Sequence, residues 1–160
     1  MWSFPNHIVW AAPENVHGAR RNPFGRRTMA RVLVIDDDDG TRRMLCEVLT
    51  RAGHEAVAAA NGRTGVARYR ESRADVVITD IFMPESDGLE TIREIRREFL
   101  QARIIAISGG GRRSNFDYLP SALMLGAWRT LDKPFSPAEL LQAVAEALED
   151  VDQNPGPTPA

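Results

Sequence analysis

The chain has 160 residues, of which 43% are apolar and 26% charged, and its formal net charge is −2. A domain of this size buries enough surface to need neither a disulfide nor a structural metal, and the charge argues neither for nor against nucleic acid. Cys46 is the only cysteine, which excludes an internal disulfide and indicates the cytoplasm, and no apolar run approaches the roughly 20 residues that cross a bilayer.

The two ends of the chain differ from its middle in composition. Residues 1–29 contain prolines and glycines without a helical or strand period, and they carry four arginines and one acidic residue. We interpret 1–29 as a disordered extension, with Met29 as an alternative start, and 151–160 as a disordered tail. Residues 30–150 are then predicted to form one domain.

Short apolar strands alternate with amphipathic helices through the middle of the chain. Ser136 and Glu139 form a capping box that opens the last helix. The predicted strands cover 31–35, 55–59, 75–79, 103–107 and 127–131. The predicted helices cover 40–52, 62–71, 89–99, 117–125 and a final segment after residue 136.

This alternation predicts an α/β protein with a parallel sheet that helices cover on both faces. In such doubly wound sheets, ligands bind at the carboxyl ends of the strands. Residues suited to phosphate or metal chemistry stand at four of these ends. They are Asp36 and Asp37 after the first strand, Asp80 at the third, Ser108 at the fourth and Lys133 after the fifth.

Three carboxylates at neighbouring strand ends repel one another unless a cation lies between them. Mg²⁺ prefers oxygen ligands and retains several waters, so Asp36, Asp37 and Asp80 predict a magnesium site, with Mn²⁺ as a substitute ion. For an aspartate run alone, a solvated loop is the competing interpretation. Asp39 is predicted to cap the helix that follows.

Lys133 precedes Pro134, which restricts its backbone to extended conformations and directs the lysine toward the acidic residues. Its ammonium would pair with Asp80 and then with a phosphoryl oxygen, to which the Ser108 hydroxyl can also donate. The glycine run 109–111 lacks the spacing of Rossmann and Walker loops, so it does not predict a nucleotide site.

Four segments, in this order, then carry a resemblance: VLVIDDDD, DIFMPESDGLE, IIAIS and GAWRTLDKPF. Residues 31–148 resemble the receiver domain of two-component response regulators. The resemblance implies a flavodoxin-like fold with strand order 2-1-3-4-5, Asp80 as the phospho-acceptor, and a cis peptide bond between Lys133 and Pro134.

The same resemblance assigns roles to the residues at the strand ends. Mg²⁺ is expected to be bound by Asp37, by Asp80 and by the backbone carbonyl of Phe82, with Asp36 assisting. Ser108 and Lys133 are expected to contact the phosphoryl group.

The sequence departs from the family at its switch positions. Receivers usually have tyrosine or phenylalanine three residues before the lysine, where this chain has Thr130. Trp128 is predicted to lie on the same strand face, either as a partial substitute or in a structural or interface role. Gly109 follows the hydroxyl where alanine is frequent. Phe82 and Gly110 occupy positions that tune the access of water, and they predict slow autodephosphorylation.

The implied function is signalling, with self-catalysed phosphorylation and dephosphorylation and no activity as a conventional enzyme. The expected partners are a sensor histidine kinase and an unknown downstream protein, without nucleic acid or membrane. No output module follows Leu148, so we expect a stand-alone receiver. A shuttle to a histidine-phosphotransfer protein and a degenerate, phosphorylation-independent binding platform are the alternatives. A haloacid-dehalogenase-type phosphatase is disfavoured, because Phe82 replaces its second acid.

Overall fold

The computed structural model describes residues 29–83, 87–109 and 118–153. The described residues form five strands and five helices in strict alternation. The strands are β1 (Arg31–Ile35), β2 (Glu55–Ala59), β3 (Val76–Asp80), β4 (Ile104–Ser108) and β5 (Arg129–Asp132). The helices are α1 (Asp39–Arg51), α2 (Gly62–Glu71), α3 (Gly88–Glu98), α4 (Leu119–Met124) and α5 (Pro137–Gln153).

The strands form one parallel sheet in the order β2-β1-β3-β4-β5, which confirms the predicted fold class and strand order. Every residue of β3 and β4 is buried, because these central strands are covered on both faces. The register pairs Ile35 with Thr79 and Asp80 with Ile107. The carboxyl ends of β1, β3 and β4 therefore meet at one edge of the sheet.

Side chains alternate between the two faces of the sheet, and each face has its own hydrophobic core. On one face, Leu33 and Ile35 of β1 lie in a core with Val66 of α2 and Ile92 and Ile95 of α3. On the other face, the core joins β1 to α1 and α5 through Val32, Val34, Leu45, Leu49, Leu140 and Val144. The two cores hold the central strand ends in fixed positions.

Side-chain caps define where several helices begin. Asp38 caps α1, since its Oδ1 accepts a hydrogen bond from the Thr41 amide at 2.7 Å. The prediction that Asp39 caps this helix is wrong, because the chain is already helical at Asp39. The predicted capping box of α5 is confirmed: the Ser136 amide donates to Glu139 Oε2 at 2.7 Å, and the Glu139 amide donates to Ser136 Oγ at 3.2 Å.

Some predicted boundaries differ from the observed ones. The strand predicted at 75–79 runs instead from Val76 to Asp80, because Asp80 still pairs with Ile107 of the next strand. The last helix continues through Gln153, three residues into the predicted tail. The predictions for 1–28, 84–86, 110–117 and 154–160 concern residues outside the described part of the chain. None of the described helices has the length and apolarity required to cross a bilayer.

Candidate functional site

Three carboxylates converge at the carboxyl edge of the sheet. Because Ile35 pairs with Thr79, the next residues along the two strands, Asp36 and Asp80, lie side by side. One oxygen from each of Asp36, Asp37 and Asp80 lies within 4.8 Å of the other two. Asp36 is 1% exposed and Asp80 is 7% exposed, whereas Asp37 is exposed. The predicted clustering of these acids is confirmed, and we call the group the acidic crevice.

Lys133 brings a positive charge to the acidic crevice. Its Nζ lies 3.4 Å from Asp36 Oδ2 and 3.6 Å from Asp80 Oδ1. Its backbone amide donates to the Ser108 carbonyl at 2.7 Å, and the peptide bond to Pro134 is cis, as predicted. The turn after β5 therefore directs the lysine across the ends of β4 and β3, to the position expected from the sequence.

Asp80 is held in an environment that opposes its charge. The pKa of its carboxyl group is raised to about 6. Burial is the largest cause and the carboxylates of Asp36 and Asp37 add to it, while the neighbouring ammonium of Lys133 opposes it. Asp80 Oδ1 is buried and has no hydrogen-bond partner among the described residues, since 3.6 Å to Lys133 is too long for one.

The surroundings of Asp80 Oδ1 indicate whether a metal ion fits the crevice. A buried carboxylate oxygen without a donor costs free energy, and two further carboxylates beside it add repulsion. A divalent cation between Asp36, Asp37 and Asp80 would offset both the cost of the buried oxygen without a donor and the repulsion between the carboxylates. Hard oxygen ligands of this kind suit Mg²⁺. The residues present therefore fit the predicted ion.

Ser108 ends β4 beside the acidic crevice. It is 5% exposed, and it lies one residue beyond Ile107, the residue that pairs with Asp80. The next residue, Gly109, lies beside the lysine, and a Cβ at this position would meet Lys133 Cδ at 3.7 Å, an ordinary contact, so the space would also admit alanine. The hydroxyl-bearing residue thus lies at the strand end that the sequence predicted.

Phe82 lies in the loop after β3 and is 42% exposed. Its ring packs edge-to-face on Tyr118, with centroids 4.9 Å apart and planes at 89°. Both rings line an open cleft of about 470 Å³, together with Ile81, Met83 and Asp87. Sequence reasoning placed Tyr118 only within the predicted helix 117–125 and did not assign it to this site.

The prediction that Trp128 lies on the same strand face as Thr130 is wrong. Thr130 pairs with Ala106, whose side chain belongs to the core under α2 and α3. Trp128 instead packs against the opposite core, the one that contains Leu131. The strand begins only at Arg129, so the alternation of faces does not extend back to the tryptophan.

Comparison with known proteins places this fold and crevice in a family. The sequence profile described as the response regulator receiver domain matches residues 32–145. The chemotaxis protein CheY of Bacillus subtilis is 38% identical over 119 residues, which cover 74% of this chain and 97% of that protein. CheY of Thermotoga maritima is 37% identical over 115 residues, covering 71% and 93%. The chain therefore belongs to the response regulator receiver domain family, whose members act in two-component signalling.

Solved structures agree with this assignment. A receiver domain protein from Clostridium thermocellum superposes with a TM-score of 0.72 at 29% identity, covering 78% of this chain and 98% of that one. NtrX from Brucella abortus in complex with ADP gives a TM-score of 0.74 at 29% identity, covering 79% of this chain. This chain spans only 29% of that NtrX chain, so the likeness concerns its receiver part.

Proposed function

We propose that this chain is a response regulator that accepts a phosphoryl group on Asp80 from a sensor histidine kinase and signals by binding a partner protein. One observation carries the proposal: Asp80 Oδ1 is buried at a strand end, has no hydrogen-bond partner among the described residues, and faces the ammonium of Lys133. A carboxylate in this position is ready to act as a nucleophile, and it has a positive charge beside it for the incoming phosphoryl oxygens.

In the proposed reaction, an Asp80 carboxylate oxygen attacks phosphorus in line while the bond from phosphorus to the donor breaks. The donor is a phosphohistidine or a small acyl phosphate, and the displaced nitrogen or oxygen leaves with the bonding electrons. The product is a mixed anhydride, which water hydrolyses to the carboxylate and inorganic phosphate. The domain thus catalyses its own modification and is not a conventional enzyme.

The other residues of the site position and neutralise charge. Lys133 stabilises the phosphoryl oxygens, and the Ser108 hydroxyl donates to one of them. Asp36, Asp37, Asp80 and the carbonyl of Phe82 would hold Mg²⁺, which supplies positive charge to the phosphoryl group when bound. The convergence of the three acids supports this ligand set.

Partner binding is the proposed output. The two CheY proteins are covered almost completely by the match, at 93% and 97% of their length, so this domain corresponds to a whole relative. This supports a role in which the receiver itself contacts the target. We place that role in the cytoplasm, where sensor kinases present their phosphohistidine.

Labelling with radioactive acetyl phosphate in Mg²⁺ buffer tests the proposal. Wild-type protein and Asp132→Asn, a control at the exposed end of β5, should each take up one phosphoryl group per chain. Asp80→Asn, or wild type in EDTA, should take up none. Equal labelling of Asp80→Asn would contradict the assignment of the acceptor. A wild type that stays unlabelled would favour a phosphorylation-independent binding platform.

A further inference from the structure

Arg42 joins the first helix to the acidic crevice. It lies in the first turn of α1, and its side chain is 18% exposed. Its Nη1 donates to the backbone carbonyl of Asp36 at 2.7 Å, and its Nη2 forms an ion pair with Asp39. The guanidinium thus contacts the crevice through Nη1 and the exposed start of the helix through Nη2.

The carbonyl that Arg42 holds belongs to the peptide between Asp36 and Asp37, two of the three acids of the crevice. Two hydrogen bonds donated by backbone amides also close this loop. The Asp38 amide donates to Asp36 Oδ1 at 2.9 Å, and the Arg42 amide donates to the Asp38 carbonyl at 2.9 Å. Each bond restrains the loop from a different side, and the bond from Arg42 Nη1 fixes the orientation of the peptide itself.

We propose that Arg42 is a positioning residue for cation binding, which orients Asp36 and Asp37 by holding the peptide between them. The proposal rests on the proposed Mg²⁺ site. Electrostatics alone makes the opposite prediction, because removing a positive charge beside a cation site should strengthen cation binding. The sign of the effect therefore separates positioning from simple charge.

Calorimetric titration of the full chain with Mg²⁺ measures whether replacing Arg42 weakens or strengthens cation binding. Arg42→Met retains most of the apolar stem but removes the guanidinium, and it should weaken Mg²⁺ binding by about tenfold or more, as is usual when a group that orients metal ligands is lost. Arg43→Met removes the same charge from the neighbouring, exposed position and should leave the affinity unchanged or slightly higher. Equal or tighter binding by Arg42→Met would overturn the proposal.

Arg42→Lys keeps the charge but has one ammonium, which cannot reach both the Asp36 carbonyl and Asp39 as the guanidinium does. It should weaken Mg²⁺ binding by a smaller factor than Arg42→Met. If Arg42→Met is too unstable to titrate, the lysine variant decides, and a wild-type affinity in that variant would refute the positioning role.

Hydrogen exchange in metal-free protein supplies a readout that does not depend on Mg²⁺. The Asp38 amide should exchange faster in Arg42→Met than in wild type, because its bond to Asp36 Oδ1 is released. The Asp36 amide, which donates to Ala59 across the sheet at 3.2 Å, should keep its wild-type rate.

Acceleration of both amides would indicate general destabilisation and would overturn the proposal, as would an unchanged Asp38 amide. A wild type that binds no Mg²⁺ would defeat the proposed metal site, and the Asp38 amide would still decide whether Arg42 orders the loop.

Discussion

Asp80 and His54 illustrate how burial sets the chemistry of single residues in this domain. Asp80 is a carboxyl group whose neutral form is favoured, since burial and two acidic neighbours raise its pKa to about 6. His54 is half-buried, and burial lowers the pKa of its imidazole while the carboxylate of Asp75 raises it. In both cases the protein favours the uncharged form, and the consequence for stability depends on the direction of the shift.

Replacing Asp80 with asparagine should stabilise the metal-free protein at neutral pH. The folded pKa of about 6 exceeds the ordinary value of 3.8, so the free energy of unfolding of the wild type falls as pH rises from about 4 to 6. Asp80→Asn has no carboxyl group to ionise, so its free energy of unfolding at pH 7 should exceed that of the wild type by about 1–2 kcal/mol, allowing for solvent screening. Urea denaturation in EDTA at pH 4 and pH 7 measures the difference, with Asp132→Asn as control. A gain that is the same at both pH values would contradict the argument.

His54 should make the fold sensitive to mild acid. Its Nδ1 accepts a hydrogen bond from the Ala30 amide at 3.3 Å, and a protonated imidazole cannot accept it. Because the folded pKa lies below the ordinary 6.5, its contribution to stability is present above 6.5 and is lost as pH falls through the folded pKa. His54→Asn keeps an acceptor that does not titrate, so on going from pH 7 to pH 5 its unfolding free energy should fall by less, or rise by more, than that of the wild type. Parallel curves for both proteins would refute this role.

The residues of the crevice could be predicted because the carboxyl ends of the strands can be located from the sequence. A parallel sheet gathers its carboxyl ends, so the positions of Asp36, Asp80 and Lys133 followed from the strand pattern alone. Arg42 and Tyr118 were not predictable in this way. Their contacts depend on the path of a long side chain and on the geometry of a loop, and neither leaves a periodic trace in the sequence.

At the scale of elements, the start of α3 is fitted tightly against the end of β3. A Cβ on Gly88 would lie 2.0 Å from the Asp80 carbonyl oxygen and 2.6 Å from Ile81 Cα. Both are backbone atoms, which cannot move aside as a flexible side chain would. α3 and β3 are therefore in direct contact only because this position is glycine.

Gly88→Ala should lower the free energy of unfolding by about 2–3 kcal/mol, because it forces α3 away from β3. Gly40→Ala is a matched control in the first turn of α1, where the added Cβ would meet Asp38 Oδ1 at 3.4 Å. That change should be neutral or stabilising by up to about 1 kcal/mol, since alanine has a higher helix propensity than glycine. Thermal and urea unfolding measure both variants, and equal stabilities would contradict the close fit.

The ring contact between Phe82 and Tyr118 connects the β3–α3 loop to the residue before α4. If Asp80 is the acceptor, this contact should hold Phe82 in place and limit the access of water to the phosphoryl group. An aromatic pair contributes about 0.5–1.5 kcal/mol, so Tyr118→Ala should shorten the phosphoryl half-life by about two- to tenfold.

Tyr118→Phe retains the ring and should keep the wild-type lifetime, which separates the contact from any role of the hydroxyl. Loss of radioactivity from the labelled protein in Mg²⁺ buffer gives the rates. A longer lifetime in Tyr118→Ala would show that the ring contact does not shield the site.

Element types followed from the sequence more reliably than their ends. Apolar runs and amphipathic periods located all five strands, but residue 128 was assigned to a strand that starts only at Arg129. A strand begins where its ladder of hydrogen bonds begins, and that depends on the partner strand rather than on local composition. The face assigned to Trp128 failed for this reason.

At the scale of the whole molecule, the described part of the chain has two hydrophobic cores that share one sheet. Leu49 of α1 lies in one core and Ile95 of α3 in the other, and both are 0% exposed. Since the strands between them belong to both layers, neither core can come apart without exposing the other. The domain should therefore unfold as a single cooperative unit.

Leu49→Ala and Ile95→Ala should each cost about 2–5 kcal/mol, whichever face they lie on, because each removes buried methyl groups and leaves a cavity. Leu100→Ala, at a position 72% exposed, should change stability by less than about 0.5 kcal/mol. Urea unfolding followed by circular dichroism and by tryptophan fluorescence should give coincident curves with one m-value. Separate transitions would show that the two layers are independent.

Among the described residues, the crevice holds more carboxylates than amines. Phosphorylation of Asp80, as proposed, should therefore depend on a divalent cation as well as on the phosphoryl donor. A phosphoryl donor is itself an anion, and across the ranges that the structure describes the three carboxylates of Asp36, Asp37 and Asp80 face one ammonium, that of Lys133. On the proposed function, an approaching donor would be repelled until a divalent cation binds. If the proposed function holds, depletion of free magnesium should prevent phosphorylation of Asp80 even while a sensor kinase is active, so the phosphorylated fraction would depend on the Mg²⁺ concentration as well as on the stimulus.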